Sequence, residues 1–287
     1  LEILSCVCTP VEYLNAPRLK KLICRNSQMS NFDHLTSLEM LDCEFCRDVT
    51  NIFENIPNKL KILYCSDTKI QSIAHLNLEE LHAKYFSKFP LSLRKLTCCE
   101  YDITELNKLT NLEELNVIRN FTENIELPNL KIFKCYLTSL YENSSFQGLR
   151  ELYCDCCEIY PFYIPTLEIL DCSYAAVLGN KNEFINSLTN LKSLKCISST
   201  ISEINLPKLE ILNCSNTNVL EVNHLTTLTK LSCKNTKIKN IDIVNLIELD
   251  CGFTDICQFD HLTNLKILKC DHTKTKNVNL PGLIELC

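Results

Sequence analysis

The sequence predicts a solenoid built on a parallel β-sheet of short strands. Three observations carry that expectation: a six-residue pattern that recurs from end to end, a near-constant spacing between its copies, and a polar turn position at a fixed distance after each copy. The pattern is L-x-x-L-x-C or a close variant. It begins at Leu1, Leu19, Leu38, Leu60, Leu78, Leu93, Leu112, Leu130, Leu149, Leu167, Leu191, Leu209, Leu228, Leu246 and Leu265, and a sixteenth copy at Leu283 is cut off at Cys287. The copies lie 18 or 19 residues apart, except for steps of 22, 15 and 24 residues after Leu38, Leu78 and Leu167. A unit this short cannot bury its apolar side alone, so its neighbours must stack on it and share one continuous core.

With the first leucine of each copy numbered position 1, the elements follow in order. A strand around positions 3 to 5 pairs in parallel with the strands of adjacent repeats. Positions 1, 4, 6, 11 and 14 are expected to point inward and fill the core, leaving positions 3, 5, 7 and 8 on the opposite face. Position 9 is Thr9, Ser27, Cys46, Thr68, Asn120, Thr138, Cys157, Ser199, Thr217, Thr236, Thr254 or Thr273, with Phe86, Tyr101 and Ala175 as exceptions. Short polar side chains bond locally to the backbone, so this position marks the turn out of the strand. Too few residues then remain for a full α-helix, and the convex side is expected to be extended or a single 3₁₀ turn. Pro17, Pro57, Pro90, Pro128, Pro165, Pro207 and Pro281 precede seven of the eight even-numbered copies, where many odd copies have Leu-Thr instead. The true period is therefore a pair of about 37 residues. Three segments break the beat: 46–59 adds about one helical turn, 82–92 is short, and 179–187 adds residues that read as a loop excursion.

These copies resemble the leucine-rich-repeat family, whose motif is L-x-x-L-x-L-x-x-[N/C]-x-L. Thr largely replaces the family's Asn at position 9. The resemblance covers essentially the whole chain and implies a horseshoe-class α/β solenoid with its parallel sheet on the concave face and the concave face as an interaction surface. One array over residues 1–287 is expected, of about fifteen full repeats and a truncated one. The chain opens inside a repeat without an initiator Met, so it is expected to be part of a longer protein.

The chain holds 20 cysteines, and thirteen of them fall at position 6. Cys43-Glu-Phe-Cys46 and Cys154-Asp-Cys156-Cys157 imitate metal-ligand spacing. Both arise automatically when positions 6 and 9 are Cys, and position 6 is Ala83 and Val117 in the two remaining repeats. A ligand cannot become Val, whereas a small core filler can. In-register thiols on adjacent parallel strands point the same way and are poorly placed for a disulfide. No metal or cofactor is therefore expected. Ranks of unbridged thiols suit a reducing, cytoplasmic location.

No catalytic constellation or Gly-rich phosphate loop is present, and the six His have no ligand spacing, so no enzyme activity is expected. His34, His224 and His261 recur at one repeat phase and read as part of the repeat. A net charge of −6 suggests no nucleic-acid partner, and no apolar run is long enough for membrane insertion. The expected function is a protein–protein interaction scaffold or adaptor. The candidate concave-face residues are Phe45, Tyr64, Asp67, His82, Tyr85, Tyr136, Tyr153, Asp155 and Tyr174, because aromatics with hydrogen-bonding tips are favoured interface anchors. The C-terminal repeats read as bland and polar at the same positions. Two alternatives stay open: the recognition part of a larger enzyme such as a ubiquitin ligase, or a structural component of a virus particle or other assembly.

Overall fold

The structure, a computed structural model, describes residues 1–32, 34–50, 59–70, 72–84, 86–99, 102–118, 125–141 and 146–287, and the backbone of 121–122. The chain forms two compact units, Leu1–Asn120 with Asn124–Ile132 and Phe121–Glu123 with Phe133–Cys287.

In the first unit the strands fall at positions 3 to 5 of successive repeats: β1 (Ile3–Ser5), β2 (Lys21–Ile23), β3 (Met40–Asp42), β4 (Ile62–Tyr64), β5 (Glu80–His82), β6 (Lys95–Cys98) and β7 (Glu114–Ile118). Each pairs in parallel with the next, and the position-4 leucines stand in register, as in Leu4 with Leu22 and Leu41 with Leu63. A single helical turn, α1 (Ile103–Leu106), lies on the return path and is capped by Asp102, which accepts the Thr104 N–H at 2.8 Å.

The second unit repeats the scheme with β9 (Ile132–Tyr136), β11 (Glu151–Asp155), β13 (Ile169–Asp171), β15 (Ser193–Lys195), β16 (Ile211–Asn213), β17 (Lys230–Ser232), β18 (Glu248–Asp250), β19 (Ile267–Lys269) and β20 (Glu285–Leu286). A four-stranded second sheet joins positions 10 and 11 of four repeats: β8 (Phe121–Thr122), β10 (Ser139–Leu140), β12 (Glu158–Ile159) and β14 (Ala176–Val177). Tyr141 and Tyr160, one residue beyond β10 and β12, stack with centroids 5.1 Å apart and reinforce that pairing. The expected excursion at 179–187 is a short helix, α2 (Lys181–Ser187), which buries Phe184 and Ile185. Elsewhere the return path is extended with turns, and the expected 3₁₀ turns are absent from the described residues. The break at 46–59 falls largely outside the described residues.

In the repeats from Leu191, Leu209, Leu228 and Leu246 all the expected inward positions are buried, whereas Leu1 at the start of the array and Asp48, Lys88 and Asn180 in the irregular repeats are exposed. In the repeat from Leu209, for example, Leu209, Leu212, Cys214, Val219 and Val222 are all sealed. So are Leu206, Leu225 and Ile243 just before the next copy, a further core row that the motif does not name. Twelve of the thirteen position-6 cysteines are buried, the exception being Cys270 near the end of the array.

Twelve non-glycine residues among those described have positive φ, and every one occupies position 8: Cys8, Asn26, Phe45, Asp67, Leu137, Cys156, Tyr174, Ser198, Asn216, Asn235, Phe253 and His272. This left-handed residue ends the strand. It turns its own N–H back onto the ladder, so Asn216 N–H donates to the Lys234 carbonyl at 2.8 Å and Tyr174 N–H to the Ile197 carbonyl at 2.7 Å. Left-handed backbone crowds Cβ most severely when Cβ is branched, and no Val, Ile or Thr stands at position 8 of any repeat. Position 9 closes the turn from inside. Thr217, Thr236 and Thr254 are buried, and each hydroxyl donates to the position-6 carbonyl of its own repeat at 2.6, 2.7 and 2.6 Å.

Side-chain ladders outside the core tie repeat to repeat. On the convex side His224 and His261 donate through Nε2 to the carbonyls of Ile204 and Ile241, both at 2.6 Å, and His34 does so to Leu14. Asn186 and Asn223 accept the backbone N–H of Asn205 and Asp242, each at 2.7 Å. These bonds explain the paired period, because the residues that make them precede the odd-numbered copies. At position 2 charges alternate: Lys131 Nζ reaches Glu113 at 2.6 Å, and Arg150 and Lys192 share Glu168 at 2.7 and 2.8 Å. Each exposed pair contributes little alone, but the alternation disfavours a register slip.

Two outcomes follow for stability. Replacing Thr236 by Val keeps the volume but strands the buried Cys233 carbonyl. It should cost about 1–3 kcal/mol in urea unfolding, and Ser should cost less. Burial also pushes the thiols of Cys98, Cys214 and Cys251 up to about 12. They stay neutral in the folded chain and ionise near pH 8.5 in the unfolded one. Their contribution is therefore complete below about pH 8.5 and is lost as pH rises from there towards 12. The urea midpoint should fall between pH 8 and pH 10.5, by less in Cys214→Ala.

Candidate functional site

Strand side chains at odd positions face away from the core, and the burial pattern of β9 shows the alternation: Phe133 and Cys135 are buried, whereas Ile132, Lys134 and Tyr136 are not. Three patches lie on this face, one in the first unit and two in the second.

In the first unit Asp42 and Glu44, at positions 5 and 7 of one repeat, are 1% and 6% exposed. Two carboxylates this deep need cations or donors. The half-exposed Arg25 supplies one, with Nε 2.6 Å from Asp42 Oδ2 and 3.5 Å from Glu44 Oε2. These carboxylates hold the guanidinium above its ordinary range. His82 Nδ1 lies 2.9 Å from the other Glu44 oxygen. The Tyr64 ring meets His82 edge-on at 5.7 Å, and its hydroxyl donates to Glu80. Burial, aided by Glu80, pushes that hydroxyl up to about 12, so Tyr64 is a donor at neutral pH. Beside this network Tyr64, Glu80, His82, Lys95, Thr97 and Glu114 border a polar depression of about 220 Å³.

In the second unit Tyr153 donates to Glu151 at 2.9 Å, and the Lys134 ammonium lies 5.9 Å from its ring centroid. Tyr136 is half-exposed at the end of β9, and Asp155 ends β11. Asp171 accepts from the Ser173 hydroxyl at 2.7 Å and pairs with Lys195 at 3.0 Å. A third patch lies among repeats that the sequence presents as bland. Ile211, Asn213, Lys230, Ser232, Glu248, Asp250 and Ile267 border a depression of about 300 Å³. Asp250 Oδ2 pairs there with Lys234 at 3.2 Å, while Oδ1 is buried without a hydrogen bond among the described residues.

The structure thus brings together Tyr64 with His82, and places Tyr136, Tyr153 and Asp155 on two neighbouring strands. It relocates three other candidates. Phe45, Asp67 and Tyr174 occupy position 8, whose left-handed backbone takes them off the strand and onto the turn at its C-terminal end. They form a rim and not the strand face itself. Phe45 and Tyr174 remain 49% and 58% exposed there. Tyr85, the ninth candidate, lies outside the described residues. Arg25, Glu44, Glu80 and Lys134 are site residues that the aromatic pattern alone misses. Reading charges down columns of equal repeat position would have found them. Arg25→Met should destabilise the chain by about 2 kcal/mol in urea unfolding by leaving two buried carboxylates short of a cation, and adding Asp42→Asn should recover part of that loss.

No protein-family model matches the chain, and no curated protein sequence does so either. Solved structures do. The circular leucine-rich-repeat protein CroV588 superposes with a TM-score of 0.67 at 19% identity, over 97% of this chain and 47% of that one. The complex of TLR13 with the single-stranded RNA ssRNA13 gives 0.65 at 19% identity, over 93% of this chain and 48% of TLR13. The functional domain of InlJ from Listeria monocytogenes, described as including a cysteine ladder, gives 0.58 at 22% identity, over 97% of this chain and 65% of that one. The chain therefore spans less than two thirds of each of these three proteins. With its position-4 leucines in register, its position-6 thiols in a row and these likenesses, the chain has the fold of a leucine-rich-repeat solenoid.

Proposed function

We propose that the chain is a protein-binding scaffold that engages its partner through the strand face and its rim, without chemistry of its own. The observation that carries this reading is the Tyr153 patch. A tyrosine is fixed there at its tip by Glu151 and at its face by Lys134, and half-exposed Tyr136 stands on the adjacent strand. Pre-oriented aromatic side chains lose little freedom on binding and supply large contact area, which suits them to anchor an interface. The charge pattern favours a protein over a nucleic acid in this chain. Along position 5 of the second unit Lys134, Asp171, Lys195, Asp250 and Lys269 mix signs, with Asp171 and Asp250 each paired to a lysine. A phosphate backbone would call instead for a continuous basic stripe. The TLR13 structure is a complex with RNA, so the fold by itself does not select the partner class, and the surface must do so. The unbridged thiols of the core suit the reducing location expected from the sequence.

Affinity capture of partners tests the reading. Tyr153→Ala should lower capture at least about tenfold, the loss of one good anchor, while the urea midpoint stays near that of the unchanged chain. Undiminished capture by Tyr153→Ala and by Tyr64→Ala would sink the proposal for this face.

A further inference from the structure

Position 9 is Cys in two described repeats, at Cys46 and Cys157, and in both cases position 6 of the preceding repeat is also Cys, at Cys24 and Cys135. All four are buried free thiols. The sulfur does not behave as the threonine hydroxyl does. Thr236 bonds to the position-6 carbonyl of its own repeat at 2.7 Å. Cys46 Sγ instead contacts the Cys24 carbonyl of the preceding repeat at 3.0 Å, with the Ser27 hydroxyl 3.6 Å away. Cys157 Sγ likewise lies 3.6 Å from the Cys135 carbonyl and 3.8 Å from Cys135 Sγ, and it also meets the Asp155 carbonyl at 3.4 Å. The same shift occurs once in each unit. Position-6 thiols on neighbouring strands point the same way, but the position-9 sulfur arrives from the turn and meets the position-6 group of the preceding repeat from another direction.

We propose that Cys24 with Cys46, and Cys135 with Cys157, are sites of reversible disulfide formation, each joining position 6 of one repeat to position 9 of the next. The Cys135 and Cys157 sulfurs stand 3.8 Å apart, against about 2.05 Å in a disulfide. With a peroxide as oxidant, the position-9 thiolate attacks one peroxide oxygen. An S–O bond forms, the O–O bond breaks, and the departing hydroxide takes up the thiol proton as water. The position-6 thiol then attacks the sulfenic sulfur; the S–S bond forms, the S–O bond breaks, and a second water leaves. Two thiols lose two protons and two electrons, and one peroxide accepts them. The position-9 thiol suits the attacking role, since hydrogen bonding from Cys24 holds Cys46 down to about 6 and contact with Cys135 lowers Cys157. Each bond would close a loop of 22 residues and restrict the unfolded chain.

The test treats the reduced full chain with hydrogen peroxide, traps remaining thiols with a maleimide in denaturant and maps the cross-links by mass spectrometry without reduction. Peptides linking Cys24 to Cys46 and Cys135 to Cys157 are expected, each bond costing two hydrogens and reversed by dithiothreitol. The oxidised chain should show a higher urea midpoint. The Cys46→Thr, Cys157→Thr double variant carries the commonest residue at this position, so it should fold, form neither link and show no rise on oxidation. Recovery of every thiol after peroxide, links between position-6 neighbours such as Cys154 and Cys172, or sulfinic acid at Cys46 and Cys157 would each overturn the proposal.

Discussion

The structure depends on one backbone event in each repeat, the left-handed residue at position 8. The strand itself is only three residues long in most repeats, enough for a few ladder bonds. The turn at position 8 extends the ladder: the position-6 N–H bonds to the position-5 carbonyl of the next repeat, and the position-8 N–H to the position-7 carbonyl. The chain is thus held to its neighbour over about twice the length of the strand while already leaving the sheet. An extended residue at this position would carry the strand straight on, and the return path could not pack over the core.

Position 6 and position 9 sit on either side of that turn and are constrained by it. The position-6 side chain points into the core, where Cys, Ala83 and Val117 all fit because small apolar volume is what is required. Its carbonyl faces inward at the turn and needs a donor, since an unpaired buried carbonyl is costly. Threonine at position 9 supplies that donor from within the repeat. Cysteine in the same place is longer and a weaker donor, and it reaches across to the preceding repeat. Cysteine in place of threonine thus adds a contact to the preceding repeat, beside which Cys157 keeps one to the Asp155 carbonyl of its own.

The strands, the core rows and the turn were legible because each is written many times over. Leu209, Leu212 and Cys214 would be unremarkable alone, but fifteen copies leave one periodic reading. Features without that redundancy were not legible. The helix at Lys181–Ser187 appears once, and the second sheet joins only four repeats. The Arg25, Asp42 and Glu44 network combines charges from two consecutive repeats, 17 residues apart for Arg25 and Asp42, so it emerges only when strand pairing sets Ile23 beside Asp42. Position 8 was misplaced for a different reason. Two-residue alternation along a strand puts position 7 on the open face, and a left-handed turn directly afterwards breaks that alternation. Only the absence of β-branched residues from the column hinted at it.

The position-8 column also bears on what the rim is for. Asn26, Asn216 and Asn235 are the residues a left-handed turn tolerates best, because the short amide can bond locally. Phe45, Leu137, Tyr174 and Phe253 adopt the same backbone without that compensation, at a cost on the order of 1–2 kcal/mol each. Burial does not offset it, since all four are between 44% and 58% exposed. Stacking explains part of one case, where Phe253 lies on His272 of the next repeat with centroids 4.4 Å apart. For Phe45 and Tyr174 neither backbone preference nor core packing accounts for a large ring at the end of a strand. Under the proposed function, exposed rings at this rim are what a partner meeting the strand face from outside would require.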